Sequence, residues 1–139
     1  GYIRVRRDPR CVKREAARTL TRYCRRRLDR QLRSVFVYGR DDHEVVHIRE
    51  DLRNEYEEGD FDRFATAAWD IHESLRTSGM NQSTLGRQLS TVQVFENAYA
   101  FQFPGWEGGG VVATFDRTVG TQLHSFVEDC WQEIVGERQ

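Results

Sequence analysis

Residues 9–32 (PRCVKREAARTLTRYCRRRLDRQL) carry two rows of side chains that repeat every four residues, and those rows constrain the fold more than any other feature. Val12, Ala16, Leu20, Cys24, Leu28 and Leu32 form an apolar row. Arg10, Arg14, Arg18, Arg22, Arg26 and Arg30 form a second, offset by two positions. Two steps along an α-helix turn through about 200°, so the rows lie on opposite faces. The spacing predicts a helix from Pro9 to about Leu32, with one side on a core and the other a ladder of guanidinium groups. At ~1.5 Å per residue it would be about 36 Å long. Asp8-Pro9 supplies its start, an N-cap followed by proline in the first turn.

The rest of the chain provides the layer for that helix to lie on. Ser34–Tyr38 (SVFVY) is β-branched and aromatic, Gly39-Arg40-Asp41-Asp42 is a turn, and His43–Arg49 (HEVVHIR) returns as a hairpin partner. Asp51 is expected to cap a short helical turn through Tyr56. A second helix is expected from Asp60 to Ser78-Gly79, with Phe61, Phe64, Ala68, Ile71 and Leu75 as its buried face. Met80–Arg87 reads as a loop. Strands follow at Gln88–Phe95, Ala98–Phe103 and Val111–Phe115, joined by a tight turn at Glu96-Asn97 and a glycine-rich loop from Pro104 to Gly110. Asp116 is expected to cap a last helix with Val119, Leu123, Phe126, Val127, Cys130 and Ile134 as its stripe and Gly136 near its stop. The order α-ββ-α-βββ-α, without repeat or linker, predicts one α+β domain over residues 9–139. Its core would be a single five-stranded antiparallel sheet with packed helices. Residues 1–8 (GYIRVRRD) form a basic arm before it, an edge strand or a frayed tail. Gly1 in place of Met reads as a processed or truncated start.

Length and composition agree with one domain. A chain of 139 residues buries roughly two-thirds of its unfolded surface and needs neither metal nor disulfide to fold. Cys11, Cys24 and Cys130 are odd in number and lack C-x-x-C spacing, which points to small buried thiols. No apolar run is long enough to span a bilayer and no signal-peptide core is present, so the expected compartment is the cytoplasm.

The net charge of −1 conceals two opposite parts. Residues 1–33 hold 13 Lys+Arg against 3 Asp+Glu, a net of +10; residues 34–139 hold 8 against 19, a net of −11. Lys13 is the sole lysine; the other basic residues are arginine. That bias fits a GC-rich genome, and it equally fits a need for the guanidinium fork that grips phosphate and carboxylate.

With these elements in place, two resemblances emerge. The element order resembles that of roadblock-type domains within the profilin-like group of folds. The resemblance implies a dimer that regulates or recruits small GTPases and motor or signalling machinery, and it transfers no functional residue. The segments Ser34–Leu52 (SVFVYGRDDHEVVHIREDL), Val94–Phe103 (VFENAYAFQF) and Gly110–Asp116 (GVVATFD) are similar to a small, uncharacterised haloarchaeal family. An acidic body suits such a salt-adapted archaeal proteome.

The candidate functional residues are few. Arg14, Arg18, Arg22, Arg26 and Arg30, about 6 Å apart, could track a phosphate backbone. The competing reading is a face neutralised by a partner or by the chain's own Glu55, Glu57, Glu58, Asp60 and Asp62. Trp106, in the glycine-rich loop, is either tucked onto the sheet or offered to a partner. His43 and His47 share a strand face at even spacing but lie about 13 Å apart, too far for one metal ion. Asp41 and Asp42 beside His43 read as a solvated hairpin tip. His72 and His124 lack ligand-spaced partners. Gly108-Gly109-Gly110 lacks the Lys-Ser/Thr of a phosphate loop and leads into a strand. Asn81-Gln82-Ser83 is a chance sequon in a cytoplasmic chain. No nucleophile–base pattern is visible.

These residues give no catalytic, metal or cofactor site, and no membrane anchor, since the apolar row of the first helix lacks Trp or Phe. The expectation is a non-enzymatic regulatory or adaptor module acting through protein–protein contacts as a homodimer. The alternative is a nucleic-acid-binding protein using the arginine-rich helix.

Overall fold

The structure, a computed structural model, describes residues 9–76, 83–86, 88–106 and 108–133. The arm at 1–8, the stop at Ser78-Gly79, most of the Met80–Arg87 loop, the start of the sequon, Ile134 and Gly136 lie outside them.

Helix α1 spans Pro9–Leu28, and its buried line differs from the expected row. Lys13, Ala17 and Cys24 are buried, with Leu20 and Leu28 packed beside them, while Val12 and Ala16 are half-buried. A strict four-residue row overshoots a full turn by about 40° at each step and winds off any fixed line of contact. Mixed steps of three and four stay on it. The helix also ends before Leu32. Asp29 adopts the left-handed conformation at φ 51°, which aspartate tolerates better than most residues. One 3₁₀ turn, Asp29–Gln31, follows, and Leu32 opens a strand instead of closing the helix.

The sheet is the expected five-stranded antiparallel one, in the order β2-β1-β5-β4-β3. Strand β1 is Leu32–Gly39, β2 His43–Ile48, β3 Thr91–Val94, β4 Ala98–Trp106 and β5 Gly109–Asp116. Alternation sorts the two central strands onto two cores. Val35, Val37, Val111, Ala113 and Phe115 pack under α1. Phe36, Tyr38 and Val112, with Ala100 of β4, pack under helix α2, Asp60–Arg76.

The β4–β5 hairpin is tighter than expected, because both strands extend into the glycine-rich segment. The register shifts between Phe103 and Trp106, where Pro104 has no N–H to give to a ladder. Gly110 sits where a Cβ would lie 2.6 Å from the Tyr38 hydroxyl and would also strike the Phe103 carbonyl. The strand enters beside Tyr38 only because that side chain is absent.

On α2 the buried residues are Ala65, Ala68 and His72, with Phe61 and Trp69 packed alongside. Phe64, expected inside, is 42% exposed, and Ile71 and Leu75 are half-buried. The last helix, α3, is Thr121–Trp131. Asp116 does not cap it: a 3₁₀ turn, Arg117–Gly120, intervenes, and the Asp116 carboxylate accepts from Arg33 (3.2 Å) and Arg49 (2.7 Å) instead. The expected stripe of α3 is turned outward in part. Leu123 and Val127 are exposed, Val119 and Cys130 are partly buried, and the Phe126 side chain lies outside the described residues. His124 is the residue that packs inward, edge-on to Tyr99 at 5.7 Å.

Replacing Gly110 with alanine should lower the unfolding free energy by about 2–3 kcal/mol, since neither Tyr38 nor the Phe103 backbone can retreat. Urea denaturation checks this; an unchanged midpoint would show that the strand has room to shift.

Candidate functional site

Tyr38 stands at the centre of a buried polar strut. Its hydroxyl lies 2.9 Å from Nδ1 of His72 and accepts a hydrogen bond from the Gln102 amide nitrogen at 2.8 Å. The phenol oxygen accepts from Gln102 and keeps its own hydrogen to give to Nδ1 of His72, a bond that suits a neutral imidazole with its proton on Nε2. The same Gln102 nitrogen donates to the Ala68 carbonyl at 2.8 Å. On the main chain, the Tyr38 carbonyl accepts from the Lys13 ammonium at 3.1 Å, and Lys13 also reaches the Gly108 carbonyl. Trp69 stacks on His72 with ring centroids 5.1 Å apart. Burial pushes the Tyr38 hydroxyl up to about 12 and lowers the His72 pKa.

Beside the strut lies an apolar groove. Helix α2 crosses the sheet toward its Tyr38 end, leaving the end at Ser34, Thr114 and Ala98 open. The space holds about 550 Å³, within the size range of small-molecule sites. Ser34, Ala98, Ala100, Val112 and Thr114 form its floor; Tyr56, Phe64 and Ala67 form one wall, and Gln93 and Phe95 the far rim. Phe36, Tyr56, Phe61 and Phe64 make edge-on or tilted ring contacts that hold the aromatic wall. Arg33 stands at the end where the Ser34 and Thr114 hydroxyls meet at 2.6 Å.

The arginine ladder divides in two. Arg14 turns to the sheet and donates to Glu44 at 2.7 Å. Arg18, Arg22, Arg26 and Arg30 are exposed and make no ion pair among the described residues. The acidic residues expected to neutralise them lie with α2 on the opposite face of the sheet, where Asp60 pairs with Arg63 and Asp62 with His43. The Trp106 side chain lies outside the described residues.

A bulge separates the two hairpin histidines. The β1–β2 register shifts between Val35 and Phe36, so His43 pairs with Tyr38 and His47 with Val35. His43 meets Asp62 of α2, whereas His47 feels burial first and then Arg25 of α1 and Arg53, all of which lower its pKa. The expected shared face therefore does not form. Cys24 and Cys130 are free thiols, and burial pushes the Cys24 thiol up. Among the described residues, no cluster of three His, Cys, Asp or Glu side chains could hold a metal ion, and no helix is long and apolar enough to cross a membrane.

Sequence reasoning missed Lys13, Tyr38, Gln102 and the groove. One signal was present: Lys13 is the sole lysine in a chain that uses arginine elsewhere. A single ammonium can sit against two carbonyls in a space where a planar guanidinium fork is harder to place. A family model described as "Domain of unknown function (DUF7522)" matches residues 18–135. No curated protein and no solved structure matches the chain.

In a spectrophotometric titration, one of the five tyrosines should stay un-ionised until pH about 12. Its folded pKa is raised, so its contribution to stability is complete below the ordinary tyrosine pKa and is lost as pH rises through about 12. His72 has the opposite sign: its pKa is lowered, so its contribution holds above the ordinary histidine value and fades as pH falls. Tyr38→Phe removes the partner of both His72 and Gln102 and should cost about 1–3 kcal/mol. Full ionisation of all tyrosines near pH 10 would contradict the strut.

Proposed function

We propose, for a chain that belongs to the DUF7522 family of domains of unknown function, a non-enzymatic regulatory or adaptor role carried out by a homodimer through protein–protein contacts. The observation that carries this reading is the uncovered apolar surface at one end of the sheet. Strand β3 is an edge, and its sequence from Thr91 to Phe95 (TVQVF) has no charge and no proline to discourage pairing. Val92 is exposed there. Helix α3, held to the neighbouring strand β4 through Tyr99, exposes Leu123, Val127 and Trp131 at successive four-residue steps, Trp131 by 60%. An isologous contact that pairs β3 with β3 would cover this surface in both copies. The resemblance of the element order to that of roadblock-type domains agrees with the same reading.

Sedimentation velocity at micromolar protein, in low and high salt, should give a dimer, and Val92→Lys should shift it to monomer without loss of secondary structure. A wild-type monomer under all these conditions would defeat the proposal.

The open, unpaired arginines favour a second reading, in which the outer face of α1 binds a nucleic-acid backbone. Each phosphate contact contributes a slope of about −0.9 to log affinity against log salt on duplex DNA, so Arg18→Ala with Arg22→Ala should flatten the slope by nearly two. Fluorescence anisotropy with a labelled duplex measures it. Absence of binding even in low salt would remove this reading.

A further inference from the structure

We propose that the groove between α2 and the sheet is a binding site for an aromatic molecule bearing one anionic substituent. Its shape comes from a contrast in side-chain size. Small residues, Ala98 and Ala100 on the sheet and Ala67 on α2, leave the space, and aromatic rings surround it. Phe64 and Phe95 stand at its sides 42% and 53% exposed, with ring surface left for a planar ligand to cover. The volume of about 550 Å³ accommodates a molecule of two or three rings.

The polar groups select the charge. Arg33 lines the groove, and no acidic side chain does, in a chain with 22 carboxylate residues. Arg33 gives one hydrogen bond to Asp116, which is also held by Arg49, so most of the guanidinium donors remain unused. The Ser34 and Thr114 hydroxyls share a single hydrogen bond, which leaves one O–H over. The unused guanidinium N–H groups of Arg33 and the spare O–H at this end are donors that an anionic substituent complements. Further in, the Gln102 amide nitrogen is committed to Tyr38 and Ala68, which leaves its carbonyl oxygen as the acceptor for a ring N–H.

Two dyes with the same rings test the assignment: 1-anilinonaphthalene-8-sulfonate, and N-phenyl-1-naphthylamine, which lacks the sulfonate. Fluorescence titration of the full chain should show one sulfonate dye per chain, bound about tenfold more tightly than the neutral dye. Arg33→Gln should abolish that preference. Ala67→Phe, which fills the groove from an exposed position on α2, should abolish binding of both dyes. If Ala67→Phe alters the near-UV circular dichroism, Ala98→Phe fills the groove from the sheet side instead. Leu123→Ser, on the exposed stripe of α3, should change nothing and so distinguishes the groove from general dye adsorption. Equal affinity for the two dyes, binding that survives the filled groove, or binding abolished by Leu123→Ser would each overturn the proposal.

Discussion

Both helical layers are tied to the sheet at Tyr38. Its carbonyl takes a hydrogen bond from α1 through Lys13, and its hydroxyl joins α2 through His72 and β4 through Gln102. A phenol with no solvent exposure cannot be left with unmet hydrogen-bonding capacity, so each partner must arrive in register. The neighbouring backbone must also come close, which is why β5 enters with Gly109 and Gly110. The apolar packing around this point is interchangeable in kind. The polar bonds are not, and they select one placement of α2 from those that burial of alanines alone would allow.

That placement also separates the charges. With α1 on one face and α2 on the other, the basic and acidic stretches of the sequence lie on opposite sides of the sheet. Near-equal opposite charge in the sequence suggested that the two would meet. In the fold Arg14 and Arg33 reach Glu44 and Asp116, but the outer arginines of α1 do not meet the carboxylates of residues 55–62, because a five-stranded sheet stands between them. The carboxylates near α2 find local partners in Arg63 and His43, and Arg49 gathers Asp51 and Asp116 at the far edge. The outer arginines of α1 are left to solvent, so any neutralisation they receive comes from another molecule or from salt.

The fold was legible in the sequence because hydrophobic period and turn residues are local signals. Phe36 and Val112 alternate with Val35 and Val111 as a sheet with two covered faces requires, and short connections marked the β1–β2, β3–β4 and β4–β5 hairpins, whereas the long-range pairing of β1 with β5 had no local signal. What failed depended on a small rotation or a single extra residue. The four-residue apolar row of α1 was real in sequence but winds off the contact line, which hid Lys13. One bulge in β2 moved His47 away from the face of His43. Asp116 had the position of an N-cap, but two guanidinium groups, from Arg33 of β1 and from Arg49 just past β2, outcompeted the helix for its carboxylate, contacts between residues 83 and 67 positions apart.

The groove was illegible for a deeper reason. Its floor residues, Ser34, Ala98, Ala100, Val112 and Thr114, each read as ordinary strand positions, and the small ones read as weak packing. Their significance appears only when α2 is fixed elsewhere. Ala65 and Ala68 let the helix approach the sheet, and His72 and the Ala68 carbonyl anchor it to Tyr38 and Gln102. With the helix held at that end, small side chains at the other end cannot draw it down, and the gap persists. A core free to collapse would close such a space, because walls that move together regain the dispersion attraction that a void denies them. The polar strut prevents that movement, so the interaction that defines the fold also keeps the groove open.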